Sequence, residues 1–438
     1  MEWYWALAIM LGSLLVLFAT GLQICFCFFL VIILGTFLFW GGLPGATTLI
    51  MTIRNSVTQL GLLPIALFIL MGEVMFRAKI APKAIDAVDM WLGRIPGRLS
   101  LLAVAGGTLF ATLSGASMAG VAMLGTTLMP EMERRGYKRE MSLGPILASG
   151  TLAVMIPPSA GAIILGCIAQ ISISRLLIAI IIPGLVMASL FAAYILIRCK
   201  LRPSIAPSFE SPPVPLLHRG ISLIKYVLPL GFVVFMVVVV IFLGVCTPTE
   251  AAATGALATF ILAGFYRRLN WNMVKASVMA ATEISIMVFF IIAGAMAFSK
   301  ILAFSGATKG LTDIAVTMPV HSIVVIILMQ VIMVIMGAFM DVVAIMMITA
   351  PIFFPVVIAL GFDPIWFGVL MLINIEIGVI SPPFGMTLFV MKSIAPPGTT
   401  MGEIYRAPLP FIACDILSMA VIMLFPALAL WLPSLMRG

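Results

Sequence analysis

Apolar stretches of membrane-spanning length recur from one end of the chain to the other, separated by short polar connections. A helix needs about 20 apolar residues to cross the hydrocarbon core, so the pattern predicts roughly ten crossings plus shorter pieces. The first stretch, Trp3 to Thr20, follows Glu2 and lacks a basic n-region, and is expected to be a membrane helix rather than a cleaved signal. One long polar connection, Arg198 to Lys225, contains Pro203, Pro207, Pro212, Pro213 and Pro215. It is expected to be a linker (199–225) between two halves, 1–198 and 226–438.

The halves share a register. Pro157-Pro158 and Pro382-Pro383 lie 225 residues apart (382 − 157), as do Pro130 and Pro355 (355 − 130). With small gaps, "FILMGEVMF" (Phe68 to Phe76) resembles "FIIAGAMAF" (Phe290 to Phe298), and Gly21 aligns with Gly244. Chance matches come easily in apolar sequence, but a consistent order along both halves points to duplication.

Loop charge predicts topology. Between Arg98 and the basic loop Arg134, Arg135, Lys138, Arg139 lies an apolar stretch too long for one ordinary span and too short for two. Both ends are basic and so expected to be cytoplasmic, which a re-entrant hairpin (about 98–130) with its tip at Leu113 to Gly120 satisfies. The corresponding stretch, about 320–363, lacks Lys and Arg and is expected to open on the periplasmic side, making the repeats inverted. Before each hairpin lies a short amphipathic segment, about 78–96 and 304–317, suited to the membrane interface. A broken helix follows each hairpin, about 142–171 and 365–395.

Composition agrees: 63% of the 438 residues are hydrophobic and 9% charged, against about 25% charged in soluble domains, and mean hydropathy is +1.26. The net charge of +8 sits in loops and orients a membrane protein, so nucleic-acid binding is not expected. The six cysteines are scattered, His218 and His321 lie far apart, and neither CxxC, HExxH, a Ser-His-Asp set nor a GxxxxGK[ST] phosphate loop occurs. No enzyme and no ATP site is expected.

The Pro-Pro breaks carry the candidate chemistry. Each pair removes two backbone donors, so carbonyls around Ala153 to Ile156 lose helical partners. Broken helices of this kind bind hard cations near the bilayer midplane, and the alternative is a proline kink satisfied by Ser, Thr or water. Equivalent breaks in both halves favour the ion site. Ser114, Gly115 and Ser117 add hydroxyls and flexible backbone at one tip, as Gly337 and Asp341 do at the other, although small residues also serve close helix packing. Candidate substrate-binding groups are Ser117, Thr151, Ser159, Asn374 and Thr387. Among the acids in apolar runs, Glu73 has Arg77 one turn later, Glu250 fits a helix first turn, Glu283 and Asp415 carry no assigned role, and Asp341 and Glu376 are the functional candidates.

Through "SGASMAG", "ASGTLAVMIPPSAG", "GVCTPTEAAATGA", "GAFMDVVAIMMITAPIFFPVV" and "NIEIGVISPPFGMTLFV", the sequence resembles the large membrane (M) subunit of the tripartite ATP-independent periplasmic (TRAP) transporters over nearly its whole length. The resemblance implies an all-α, inverted-repeat, elevator-type fold like that of the ion-transporter superfamily, with two re-entrant hairpins and two discontinuous helices. It implies a small four-helix membrane subunit and a periplasmic substrate-binding protein as partners, an organic-acid substrate, the bacterial inner membrane, and at least two sodium ions as coupling ions. It further implies one sodium site at Ser114, Ala153, Ile156 and Pro158 and a second at Gly337, Gly378 and Ser381, with Phe384 nearby. Ala153 stands where a glycine is common and Ser381 where a threonine is. Rival readings are a stand-alone sodium/dicarboxylate symporter and a membrane scaffold or enzyme.

Overall fold

The computed structural model describes residues 2–78, 80–93, 95–114, 117–207 and 215–436. Among them regular structure is helical throughout. Six helices are long and apolar enough to span a membrane, or seven when the bent pair Arg139–Met155 and Ala160–Ala169 counts as one span. Five further apolar helices are 10–17 residues long. Several of these short helices are pieces of apolar stretches that the sequence interrupts, which is why helix length alone yields fewer spans than the ten expected.

Local signals set the helix ends. Thr247 and Glu250 form a capping box around Pro248, and Thr400 and Glu403 form another. Asp363 accepts the Ile365 N–H at 2.7 Å ahead of Pro364, and Asn270 caps the 34-residue helix Trp271–Phe304. Glu250 is therefore a capping residue. Glu73 pairs with Arg77 at 3.0 Å, one turn away, and Glu283 is exposed. Helical structure restarts at Leu216, inside the stretch expected to be linker, while residues 208–214, with Pro212 and Pro213, lie outside the described residues.

In the first half, helices Arg98–Ser114 and Ser117–Arg134 pack together and against Arg139–Met155. Gly115 lies between them, outside the described residues. In the second half, Ser322–Gly337 and Val342–Ala359 pack together and against Pro364–Ile380, which a break separates from Met386–Ile394. Element limits recur 225 residues apart: starts at 117 and 342 and at 139 and 364, ends at 92 and 317, 134 and 359, 155 and 380, and 169 and 394.

The halves interlock. Ala160–Ala169 packs on Val342–Ala359 of the other half, and Met386–Ile394 packs on Ser117–Arg134. Around this centre, Ile24–Phe39, Leu43–Val57 and Leu63–Arg77 all contact Trp271–Phe304. The amphipathic helix Ala81–Leu92 is tied to the first pair by Arg98, 5% exposed, whose Nε and Nη2 each donate to the Asp89 carboxylate at 2.6 Å. Its counterpart, Ala307–Thr317, rests on Val342–Ala359 and on Trp3–Ala19.

Candidate functional site

Met141 to Met155 are all buried, so the first broken helix runs through the protein interior. The N–H groups that would bond the Ala153 and Val154 carbonyls belong to residues 157 and 158, both proline. The carbonyl oxygens of Ala153, Ile156 and Pro158 accept no hydrogen bond among the described residues. The chain bends by 47° and the helix restarts at Ala160, where the buried Ser159 Oγ accepts the Ala162 N–H at 3.2 Å. Thr151 donates to the Ala148 carbonyl at 2.7 Å. Gly184 lies so close that a Cβ there would sit 2.3 Å from the Met155 oxygen. Ser114 ends its helix, and its side chain lies outside the described residues.

At the second break the same prolines leave the Gly378 and Val379 carbonyls without helical partners, but other donors replace them. The Ser381 N–H donates to Gly378 O at 3.1 Å, Ser381 Oγ to Ile377 O at 2.6 Å, and Thr387 Oγ1 to Val379 O at 2.8 Å. The Gly385 N–H reaches Ser381 O at 3.0 Å, and the Tyr405 hydroxyl reaches Pro383 O at 3.0 Å. Gly337, at the end of its helix, meets Gly378 so closely that a Cβ on either would lie 2.7 Å from the other's Cα. Both Pro-Pro bonds are cis. Phe384 is 53% exposed, and its ring lies 5.8 Å from that of Phe339.

These carbonyls bear on whether sodium fits. At the first break, oxygen acceptors without donors suit a hard cation, which takes oxygen ligands. At the second, Gly337 O accepts no hydrogen bond among the described residues, and Gly378 and Ser381 each keep a second lone pair. Both sets are compatible with sodium; the first is the less committed.

Some candidate polar groups come together. Ser117 Oγ donates to both Glu376 oxygens at 3.1 and 3.0 Å, joining helix Ser117–Arg134 to helix Pro364–Ile380. Asn374 Nδ2 donates to the Gln330 carbonyl at 2.9 Å and to its Oε1 at 2.8 Å. Asp341 accepts the Val343 N–H at 3.1 Å, capping its helix. Thr151, Ser159 and Thr387, by contrast, spend their hydroxyls on nearby backbone. Sequence reasoning missed Gln330, Tyr405 and Ser418, and passed over Asp415. A polar residue isolated on the buried stripe of an apolar helix was the available signal for Gln330, Asp415 and Ser418.

The family model "Tripartite ATP-independent periplasmic transporter, DctM component" matches residues 11–428. The chain belongs to this family. It is thus a membrane transporter permease of the TRAP class and not an enzyme. The C4-dicarboxylate TRAP transporter large permease protein DctM of Pseudomonas aeruginosa is 32% identical, over 90% of this chain and 93% of that protein. The ectoine TRAP transporter large permease protein TeaC of Halomonas elongata is 31% identical over 92% of this chain and 93% of that one. The isethionate TRAP transporter permease protein DctMQ of Oleidesulfovibrio alaskensis is 29% identical, over 86% of this chain and 59% of its own length. Among solved structures, the YdaH transporter of Alcanivorax borkumensis superposes with a TM-score of 0.63 over 90% of this chain and 91% of that one, at 14% identity. Neisseria gonorrhoeae MtrF gives 0.61 over 88% and 83%, at 13% identity. At that identity the likeness speaks for the fold, which this TRAP permease shares with other membrane transporters.

Proposed function

We propose that this TRAP permease is the membrane subunit of a sodium-coupled importer of an organic acid, a carboxylate or sulfonate. It would work in the bacterial inner membrane with a small four-helix membrane subunit and a periplasmic substrate-binding protein. The observation that carries this reading is the buried first break, where the carbonyls of Ala153, Ile156 and Pro158 have no donor among the described residues. Backbone oxygens in a dry interior bind a hard cation in place of its hydration shell. The recurrence of helix limits at 225 residues supports two inverted repeats, 1–198 and 226–438, and hence a second site at Gly337, Gly378 and Ser381.

Sodium, when bound, supplies positive charge beside an anionic substrate. The protein's own contribution is to hold that anion at the N-termini of Ala160–Ala169 and Met386–Ile394, where helix dipoles favour negative charge. Ser159 and Thr387 lie at these termini, and Ser117 and Asn374 are further polar groups of the core. The interlocked pairs and broken helices form the moving body of an elevator, and the amphipathic helices connect it to the outer helices. The names of the relatives, for C4-dicarboxylate, ectoine and isethionate, have an anionic carboxylate or sulfonate in common, which narrows the class and not the substrate.

Uptake into proteoliposomes containing both membrane subunits, supplied with the binding protein, tests the reading. An imposed inward sodium gradient should drive accumulation, and accumulation that ignores sodium would refute the coupling. Uptake of free substrate without binding protein would favour the stand-alone symporter instead.

A further inference from the structure

The buried stripe of helix Leu409–Leu424 consists of Phe411, Asp415, Ser418 and Ile422. Its two ends are accounted for. Phe411 packs edge-on against Phe191 and Tyr194, with centroids 5.5 and 5.1 Å apart, and Ile422 O accepts the Trp366 indole N–H at 3.0 Å. The two middle positions are polar and 0% exposed. Neither carboxylate oxygen of Asp415 nor Ser418 Oγ has a hydrogen-bond partner among the described residues. Residues three apart on a helix share a face, so these three oxygens are presented to one place. The helix packs there against Pro364–Ile380, Arg139–Met155 and Ile181–Leu201.

A buried carboxylate without a partner is strongly unfavourable and is neutralised by a bound cation or by a proton. Glu376 lies on one of those helices, Pro364–Ile380, where the Ser117 hydroxyl donates to it. The three unpartnered oxygens of Asp415 and Ser418 suit a cation. No group of three or more His, Cys, Asp or Glu side chains suited to a metal occurs among the described residues. Calcium, with six to eight oxygen ligands, and octahedral magnesium are poor matches for so few donors. A monovalent hard cation matches best.

We propose that Asp415 and Ser418 form a sodium-binding site separate from the two Pro-Pro breaks. The choice of ion rests on the sodium-coupled reading above. The site lies where helix Leu409–Leu424 packs against the second broken helix, so its occupancy bears on how these two elements move together.

Binding of radioactive sodium to the purified full chain, measured by equilibrium dialysis at fixed pH, is the test. Asp415→Asn should lower bound sodium by one ion per chain, and Ser418→Ala should weaken that ion's affinity on the order of tenfold. Ser381→Ala, at the second break, should instead affect a different ion and leave the Asp415 component in place. Sodium binding by the wild type that is unchanged in Asp415→Asn and Ser418→Ala overturns this site, pointing to a bound proton, and leaves the sodium-coupled reading standing. A wild type that binds no sodium overturns both. Should Asp415→Asn fail to fold, Ser418→Ala decides alone, and unchanged affinity refutes the site.

Discussion

The two Pro-Pro breaks share a sequence motif and a place in the fold, yet they handle their freed carbonyls differently. At the second break Ser381 and Thr387 donate to the carbonyls of Ile377 and Val379, and Tyr405 donates to Pro383 O. At the first break Ala153, Ile156 and Pro158 accept nothing among the described residues. Backbone N–H groups of Ser381 and Gly385 take the Gly378 and Ser381 carbonyls at the second break, and side chains take the others. The position 225 before Ser381 is Ile156, and the one before Thr387 is Ala162, so the first break lacks both hydroxyls. Exposure differs as well: Pro157 and Pro158 are buried, whereas Pro383 and Phe384 are exposed. Prolines create orphan carbonyls in both halves, and the N–H and O–H donors around them decide whether those carbonyls remain available to an ion.

The largest effects should come from crowding either break. Gly378→Ala places a methyl 2.7 Å from the Gly337 Cα, and Gly184→Ala places one 2.3 Å from the Met155 carbonyl oxygen. Both obstacles are backbone, which cannot rotate away, so each change should destabilise by about 1–3 kcal/mol or more and abolish uptake. Thermal unfolding in detergent beside a transport assay checks this. A Gly378→Ala protein that melts and transports like wild type would show that the helix pair does not rest on the second break as described.

Next in size is the joint substitution Ser114→Ala and Ser381→Ala. It should leave folding largely intact and eliminate sodium-dependent uptake in proteoliposomes. Ser381→Ala alone should do less, because the Ser381 carbonyl persists and the lost hydroxyl bonds Ile377 O, which is not among the proposed ion ligands. Retained sodium dependence in the double variant would remove both residues from the ion sites.

Much of this layout was legible in the sequence. Proline pairs and stretch lengths pointed to the helix pairs and breaks because each reflects a local requirement: a missing N–H, a fixed membrane thickness. The contacts between halves were not legible. Nothing local indicates that Ser117 meets Glu376, 259 residues away, or that Asn374 finds Gln330, because such pairings depend on how distant helices pack. Likewise, Asp341 was a candidate functional acid by its place in the core, and the structure also gives it a capping role. The same limit hid the contrast between the breaks, since Tyr405 reaches Pro383 only through the tertiary fold.

Removing a cap from the second break should make it resemble the first. Thr387→Val strips Val379 O of the donor that replaces its helical partner, which should cost about 1–3 kcal/mol for a buried unsatisfied carbonyl. Thr151→Val removes only a supplementary bond to Ala148 O, which keeps its place in the helical ladder, and should cost roughly 0.5–1.5 kcal/mol. The melting temperatures of the two variants, compared with and without sodium, give the difference. Sodium should recover more of the loss in Thr387→Val, since an exposed lone pair at a break can take an ion. Equal losses with no sodium effect would mean that Val379 O is satisfied in some other way.

The smallest effect is expected from Tyr405→Phe. Its hydroxyl bond to Pro383 O lies at the surface, where water can substitute, so stability should change by no more than about 0.5 kcal/mol. Sodium-dependent uptake should be unchanged, because Pro383 O is not among the proposed ion ligands. Its equivalent in the first half, Pro158, is among them, so Tyr405→Phe asks whether the repeats use the same carbonyls. A shift in sodium affinity on removing this one hydroxyl would place Pro383 O at the second site and make the two breaks more alike than their side chains indicate.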